Sequence, residues 1–137
     1  MNDKIINGTI DEFGFVYINS IIINPKNNIA VEEVKSIIDT GASNSFINIS
    51  LIDGLKLDAI NSVEYRNPLQ GTVKTEIYEI ELILGKTKFQ KFQVRKLNDQ
   101  TYPCGLLIGM DIIKYCELNY SAKNKTFELE LPKSFNK

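Results

Sequence analysis

The chain has 137 residues, of which 43% are apolar, and its 16 lysine and arginine residues nearly balance 17 aspartate and glutamate residues. This length fits a single domain at 1–137, and the apolar content is ordinary for a globular protein. Because the two signs of charge are interspersed without a basic stripe or an acidic tail, we expect neither nucleic-acid nor membrane-surface binding.

Histidine is absent from the sequence. Its absence excludes Ser-His-Asp and Cys-His nucleophiles and most catalytic zinc sites, which leaves carboxylate catalysis, a lysine base or a hard metal held by oxygen ligands. Cys104 and Cys116 are too few for a disulfide framework or a zinc site, so we expect inert, buried thiols. Without a signal-peptide pattern or an apolar stretch long enough to span a bilayer, we expect a cytoplasmic protein.

The first third of the chain predicts a β-hairpin and a short strand. Aromatic and β-branched residues at 13–23 indicate a strand, which the turn residues at 24–28 close. The returning strand is expected at 29–38, and it delivers Asp39 to its C-terminal end. Residues 46–49 then alternate apolar and polar in the period of a strand.

The middle of the chain predicts a second hairpin. Residues 67–71, Asn-Pro-Leu-Gln-Gly, are a turn signal between the segment 63–65 and the alternating stretch 77–84. We expect this hairpin to have a mobile tip. A further turn at 85–86 leads into a strand through residues 89–94, which pairs back.

The last third predicts a short buried strand, one short helix and a final strand. The wholly apolar run 106–108 ends at Gly109, and residues 110–116 are expected to form the helix, with Asp111 as its cap. Residues 127–131 alternate again, which predicts the last strand.

Residues 39–43 read Asp-Thr-Gly-Ala-Ser, an acid on a tight turn directly after an apolar run. Peptide hydrolysis by carboxylates needs two groups, because one must act as base toward a water while the other protonates the leaving amine. The sequence has only one Asp-Thr-Gly, so a catalytic motif would require a second copy of the chain. The alternative for Asp39 is an ordinary turn aspartate that hydrogen-bonds its own backbone.

The Asp-Thr-Gly-Ala-Ser loop, followed downstream by Leu107-Ile108-Gly109 and a short helix, resembles the retropepsin-like aspartic proteases over residues 13–131, as a non-viral member. The resemblance implies an all-β fold, a closed barrel of hairpins with one short helix, active as a homodimer. It implies an aspartic endopeptidase in which Asp39 of each subunit lies on the two-fold axis, and in which a water activated by the Asp pair attacks a peptide or protein substrate. No cofactor and no metal are implied.

The resemblance also implies roles for the residues around Asp39. Thr40 is expected to reach across the axis to the partner's loop, and Gly41 to supply the tight turn. Ser43 is expected to hydrogen-bond the outer oxygen of Asp39. Gly109 matches the family glycine that lets one strand pass closely behind the catalytic loop, where a Cβ would obstruct it.

The turn at the tip of the middle hairpin lies where the family carries its substrate-binding flap, a hairpin that closes over an extended peptide. The expected flap residues are Leu69, Gln70, Gly71 and Thr72. This stretch lacks the glycine-rich tip of the viral enzymes. The chain also departs from the viral pattern at its termini, and the strand expected at 127–131 is a candidate edge strand for pairing with the partner.

Two other classes of function stay open at this point. One is a non-catalytic module that keeps the retropepsin-like fold for dimerisation and peptide binding. The other is a monomeric β-barrel ligand carrier in which Asp-Thr-Gly occurs by chance.

Overall fold

The computed structural model describes residues 4–99 and 101–132. Ten strands and two short helices make up this part of the chain, in the order β1 Ile5–Ile10, β2 Val16–Ile23, β3 Ala30–Ile38, β4 Phe46–Asn48, α1 Ile49–Leu55, β5 Asn61–Asn67, β6 Gly71–Leu84, β7 Thr87–Leu97, β8 Leu106–Ile108, α2 Met110–Ile113, β9 Glu117–Ser121 and β10 Thr126–Glu130.

Six of the strands close into a barrel. Their hydrogen-bonded order is β2-β6-β7-β4-β8-β3, and β3 returns to β2. Four of the six pairings are antiparallel, but β3 with β8 and β4 with β7 are parallel. The predicted all-β class and closed barrel are therefore confirmed, although the barrel is not built from hairpins alone.

Apolar side chains from alternate strand positions fill the interior of the barrel. Along β6, every second side chain from Ile80 to Leu84 points into the core and is fully buried. Full burial of one such side chain contributes about 1.5–3 kcal/mol to folding. The largest fully buried side chains are Phe89, Phe127, Ile22, Ile47, Leu55, Ile80, Leu82, Leu84, Leu106, Ile108, Ile112 and Leu129.

Helix α1 was not predicted from the sequence. The strand expected at 46–49 ends at Asn48, whose side-chain oxygen accepts a hydrogen bond from Ser50 N (3.0 Å) and so caps the helix. At the other end, the Asn24 side chain donates to the carbonyl oxygens of Leu55 (2.9 Å) and Lys56 (3.1 Å). Both ends of this helix are satisfied by asparagine side chains, and the helix buries Leu55 in the core.

Strands β1, β10 and β9 extend the sheet outside the barrel. β10 lies between the other two, with Leu129 opposite Ile6 on one side and Leu118 on the other. The prediction that the last strand offers an edge to a partner is therefore wrong, because both edges of β10 are hydrogen-bonded within the chain. The two terminal strands of the sheet order are β5 and β9.

Cys104 and Cys116 are free thiols, the first buried and the second partly buried. Burial raises the pKa of both thiols, to about 11 for Cys116, so both are protonated at neutral pH. Within residues 4–99 and 101–132, no helix is long and apolar enough to cross a membrane.

Candidate active site

Asp39 is the first residue after β3, and its backbone is tied to the neighbouring strand. Its N–H donates to the carbonyl oxygen of Ile108 (2.9 Å), the last residue of β8. Because β3 and β8 run parallel, with Ile38 opposite Ile108, the loops that follow them leave the barrel at the same end. The half-buried Asp39 carboxylate is thus placed by two segments that are far apart in the sequence.

The turn after Asp39 orients its carboxylate. Gly41 N donates to Asp39 Oδ1 (2.9 Å), and a Cβ at Gly41 would lie 3.2 Å from the same oxygen. The glycine therefore leaves room for the carboxylate that it binds. Thr40 and Ser43 are exposed. Within the described chain, no hydrogen bond joins Ser43 to Asp39, so the bond expected there is not formed.

Gly109 lies against the back of this loop. A Cβ at this position would come 2.5 Å from Asn44 O and 2.8 Å from Ala42 O, both backbone atoms. The next residue, Met110, donates its N–H to Ala42 O (2.7 Å). The close approach expected from the sequence is present, and only glycine fits it.

A serine and an aspartate hold the Asp39 loop and α2 together. Ser45 N donates to Asp111 Oδ2 (2.9 Å), and Ser45 Oγ donates to Asp111 Oδ1 (2.7 Å) while accepting from Gly109 N (3.0 Å). We call these two residues the loop brace. The prediction that Asp111 caps the helix is wrong, because Gly109 occupies the N-cap position and the Asp111 carboxylate points to Ser45 instead.

Sequence reasoning missed the loop brace. Ser45 follows the Asp39 loop, and Asp111 lies two residues beyond Gly109. The parallel pairing of β3 and β8 is what brings these two distant residues together. No local pattern in the sequence signals this contact, because it depends on the pairing of two segments that are far apart in the chain.

We expect the Asp111→Asn variant to be less stable than the wild type by about 1–3 kcal/mol, because the amide presents one acceptor to two donors of Ser45. Urea denaturation measures the change, and Asp58→Asn, at an exposed loop position, is the control with an expected change within about 0.5 kcal/mol. An unchanged denaturation midpoint in Asp111→Asn would contradict a bracing role.

A second apolar cluster lies outside the barrel core and next to Asp39. Its buried members are Tyr17, Ile37, Cys104 and Leu107, and Ala42, Phe46 and Tyr102 pack against them. Burial raises the pKa of the Tyr102 phenol, and the negative charge of Asp39 acts in the same direction. The cluster is here named the outer cluster, and its three partly buried members give the Asp39 end of the barrel an apolar surface.

The expected flap is a long hairpin made by β5 and β6. Its register runs from Asn61 opposite Ile77 to Asn67 opposite Gly71. Leu69 at the tip is 96% exposed, and Gly71 has a φ of +78°, which favours glycine. Gln70 and Thr72 are also exposed at the tip.

One aromatic contact links the hairpin to the outer cluster. The Tyr65 ring on β5 packs edge-on against the Phe46 ring, with 6.3 Å between the centroids.

The structure brings Asp39, Gly41 and Gly109 into one hydrogen-bonded unit and places Leu69 to Thr72 at the tip of a separate hairpin. Within the described residues, no three cysteine, aspartate or glutamate side chains are grouped as a metal ion would require.

The architecture matches solved structures of aspartic proteases. A retropepsin-like aspartic protease from Rickettsia conorii superposes with a TM-score of 0.65 at 19% identity, over 93% of this chain and 90% of that protein. The chain has a retropepsin-like fold. This result confirms the resemblance and the fold class predicted from the sequence.

Two further structures support the same fold. The EIAV protease in complex with the inhibitor HBY-793 has a TM-score of 0.52 at 15% identity, and covers 77% of this chain and 91% of its own. The retroviral protease-like domain of Ddi1 from Leishmania major has a TM-score of 0.51 at 21% identity, over 87% of this chain and 95% of that domain. No protein-family model and no curated protein sequence matches the chain. At these low sequence identities, the similarity to the three structures establishes the fold and does not by itself establish an activity.

Proposed function

We propose that the protein is an aspartic endopeptidase that acts as a homodimer, with one Asp39 from each subunit. The observation that carries the proposal is the position of Asp39 in the retropepsin-like barrel, on a loop held by Gly109 and the loop brace. One oxygen of Asp39 accepts from Gly41, and the other has no hydrogen-bond partner within the described chain. That second oxygen is available to a water, a substrate or the second Asp39.

In the proposed dimer, the two Asp39 carboxyls share one proton, because like charges within hydrogen-bond distance resist double ionisation; aspartic proteases are a standard example of this behaviour. The ionised member takes a proton from the attacking water as the hydroxide adds to the scissile carbonyl carbon. The protonated member hydrogen-bonds the carbonyl oxygen, and a proton then passes to the leaving nitrogen. The exposed Thr40 is available to bond the partner's loop.

The substrate proposed is an extended peptide of modestly apolar character. The outer cluster offers an apolar surface beside Asp39, and the β5–β6 hairpin is the element that would close over the bound chain and exclude water. Because both cysteines are free thiols, we place the protein in a reducing compartment, the cytoplasm.

The test is cleavage of a diverse peptide pool, read by mass spectrometry from acid to neutral pH and at several protein concentrations. We expect specific activity to rise with concentration, because only the dimer has two carboxyls. A peptide containing statine, which mimics the tetrahedral transition state, is expected to raise the melting temperature of the dimer. A folded dimer that cleaves nothing and ignores the statine peptide would favour the alternative, a non-catalytic dimerisation or peptide-binding module.

A further inference from the structure

The turn between β1 and β2 presents two phenylalanines to solvent. Phe13 is 77% exposed and Phe15 is 53% exposed. We name residues 11–15 the aromatic turn. Single apolar side chains on a surface are ordinary, but two large aromatic rings on one five-residue turn form a patch that calls for an explanation.

The backbone of the aromatic turn is held by a dense set of hydrogen bonds. Asp11 Oδ1 accepts from the N–H groups of Phe13 and Phe15 (both 2.9 Å), and the Asp11 N–H donates to Phe15 O (2.9 Å). Gly14 N donates to Asp11 O (3.0 Å), and Tyr120 Oη on β9 donates to Gly14 O (3.1 Å). Two phenylalanines on a preorganised turn bind a partner at a low entropic cost.

The strand register places the aromatic turn at the same end of the barrel as the Asp39 loop. Tyr17 lies opposite Ile37 in the antiparallel pair of β2 and β3. Two further steps in this register bring Phe15 level with Asp39. Any second subunit that brings its own Asp39 within hydrogen-bond distance must therefore approach the aromatic turn as well.

The surface around the turn carries both a protrusion and a concavity. An open groove of about 550 Å³ lies between the turn and the β9–β10 hairpin, and its lining includes Phe13, Tyr120 and Ala122. The residues that line the groove carry both signs of charge, with Asp11 and Glu12 on the turn and Lys125 on the hairpin. A two-fold contact uses the same patch on both subunits. A patch that has a protruding side chain, a groove and charges of both signs can therefore be complementary to itself.

We propose that the aromatic turn is a contact between two copies of this chain, in which Phe13 of each subunit enters the groove of the other beside the pair of Asp39 loops. The inference rests on the proposed function, because it is the same dimer that completes the catalytic pair. Glu12 of one copy and Lys125 of the other lie at the rim of this contact. The aromatic turn thus couples subunit association to assembly of the active site.

Sedimentation velocity on the full chain tests the proposal, with wild type, the double variant Phe13→Ser/Phe15→Ser, and Ile60→Ser as the matched control. Ile60 is 46% exposed and lies outside the turn. We expect the double variant to weaken dimerisation at least about 100-fold and the control to leave it unchanged, since buried aromatic anchors dominate interfaces. Circular dichroism checks folding, and Phe13→Ser alone, at the more exposed position, replaces the double variant if that one is unfolded.

Dimerisation of the double variant with wild-type affinity would overturn the proposal, and so would lost peptide cleavage at unchanged dimer affinity, which would make the turn a substrate contact. A wild type that stays monomeric at every concentration would overturn both the aromatic contact and the proposed homodimer. A wild-type dimer that depends on Phe13 but cleaves no peptide would support the contact and contradict the protease.

Discussion

Replacement of Asp39 by asparagine is expected to abolish peptide cleavage, by at least about 10³-fold, while the fold and the dimer persist. Asparagine has nearly the same shape, and its Oδ1 can still accept the hydrogen bond from Gly41 N. It can neither take a proton from water nor donate the acid proton that the two Asp39 carboxyls share in the proposed dimer. The measurement is the peptide-pool assay on wild type and variant at equal dimer concentration, with Asp58→Asn as the exposed carboxylate control.

A mixing experiment separates a shared pair of carboxyls from a single catalytic one. At concentrations where all chains are dimeric, an equal amount of Asp39→Asn added to a fixed amount of wild type should lower total activity to about half, because half of the wild-type subunits enter mixed dimers. Unchanged activity in the mixture would mean that one Asp39 suffices. Cleavage by the pure variant at the wild-type rate would contradict the carboxylate mechanism itself.

The second large effect is expected at Gly109, where alanine should destabilise the protein by about 3 kcal/mol or more and remove activity. The added Cβ would meet Asn44 O at 2.5 Å and Ala42 O at 2.8 Å. Both are backbone atoms of the Asp39 loop, so relief of the overlap has to displace the loop and cannot come from a side-chain rotation. The unfolding free energy from urea titration measures the effect.

Gly54→Ala is the matched control, since it makes the same change inside α1, where no atom apart from the helix's own backbone lies within 4 Å of the added Cβ. There we expect a gain of about 0.5–1 kcal/mol, because alanine loses less backbone entropy in a helix than glycine does. If Gly109→Ala were as stable and as active as the wild type, the contact behind the Asp39 loop would have no role in holding it.

The sequence predicted the elements whose side-chain pattern is strong. The hairpin of β2 and β3 was expected within a few residues of its observed bounds, and the alternation predicted at 77–84 is the second half of β6, which begins at Gly71. β1 was missed because Asn7-Gly8 in its centre resembles a turn signal. α1 was missed because apolar and polar residues alternate through its start, where the asparagine cap decides the conformation.

In the candidate site, too, the sequence was enough to select some residues but not others. Asp39 and Gly109 stand in local motifs, so the sequence alone was enough to select them. The loop brace depends on pairing between segments about 65 residues apart, which no local pattern records. The error over the last strand has a similar origin, because only the register shows that β1 and β9 occupy both of its edges.

The dependence of the Asp39 loop on Ile108, Gly109 and Asp111 has a consequence during protein synthesis. A nascent chain that ends before these residues has Asp39 but lacks the strand and the carboxylate that hold its loop. Contacts of such long sequence separation cannot form before both segments have been synthesised, and they are slow to form because loop closure costs entropy. A growing chain on the ribosome is therefore expected to carry an unformed Asp39 loop until most of its length has been made. If the proposed function is correct, peptide cleavage cannot begin before that point.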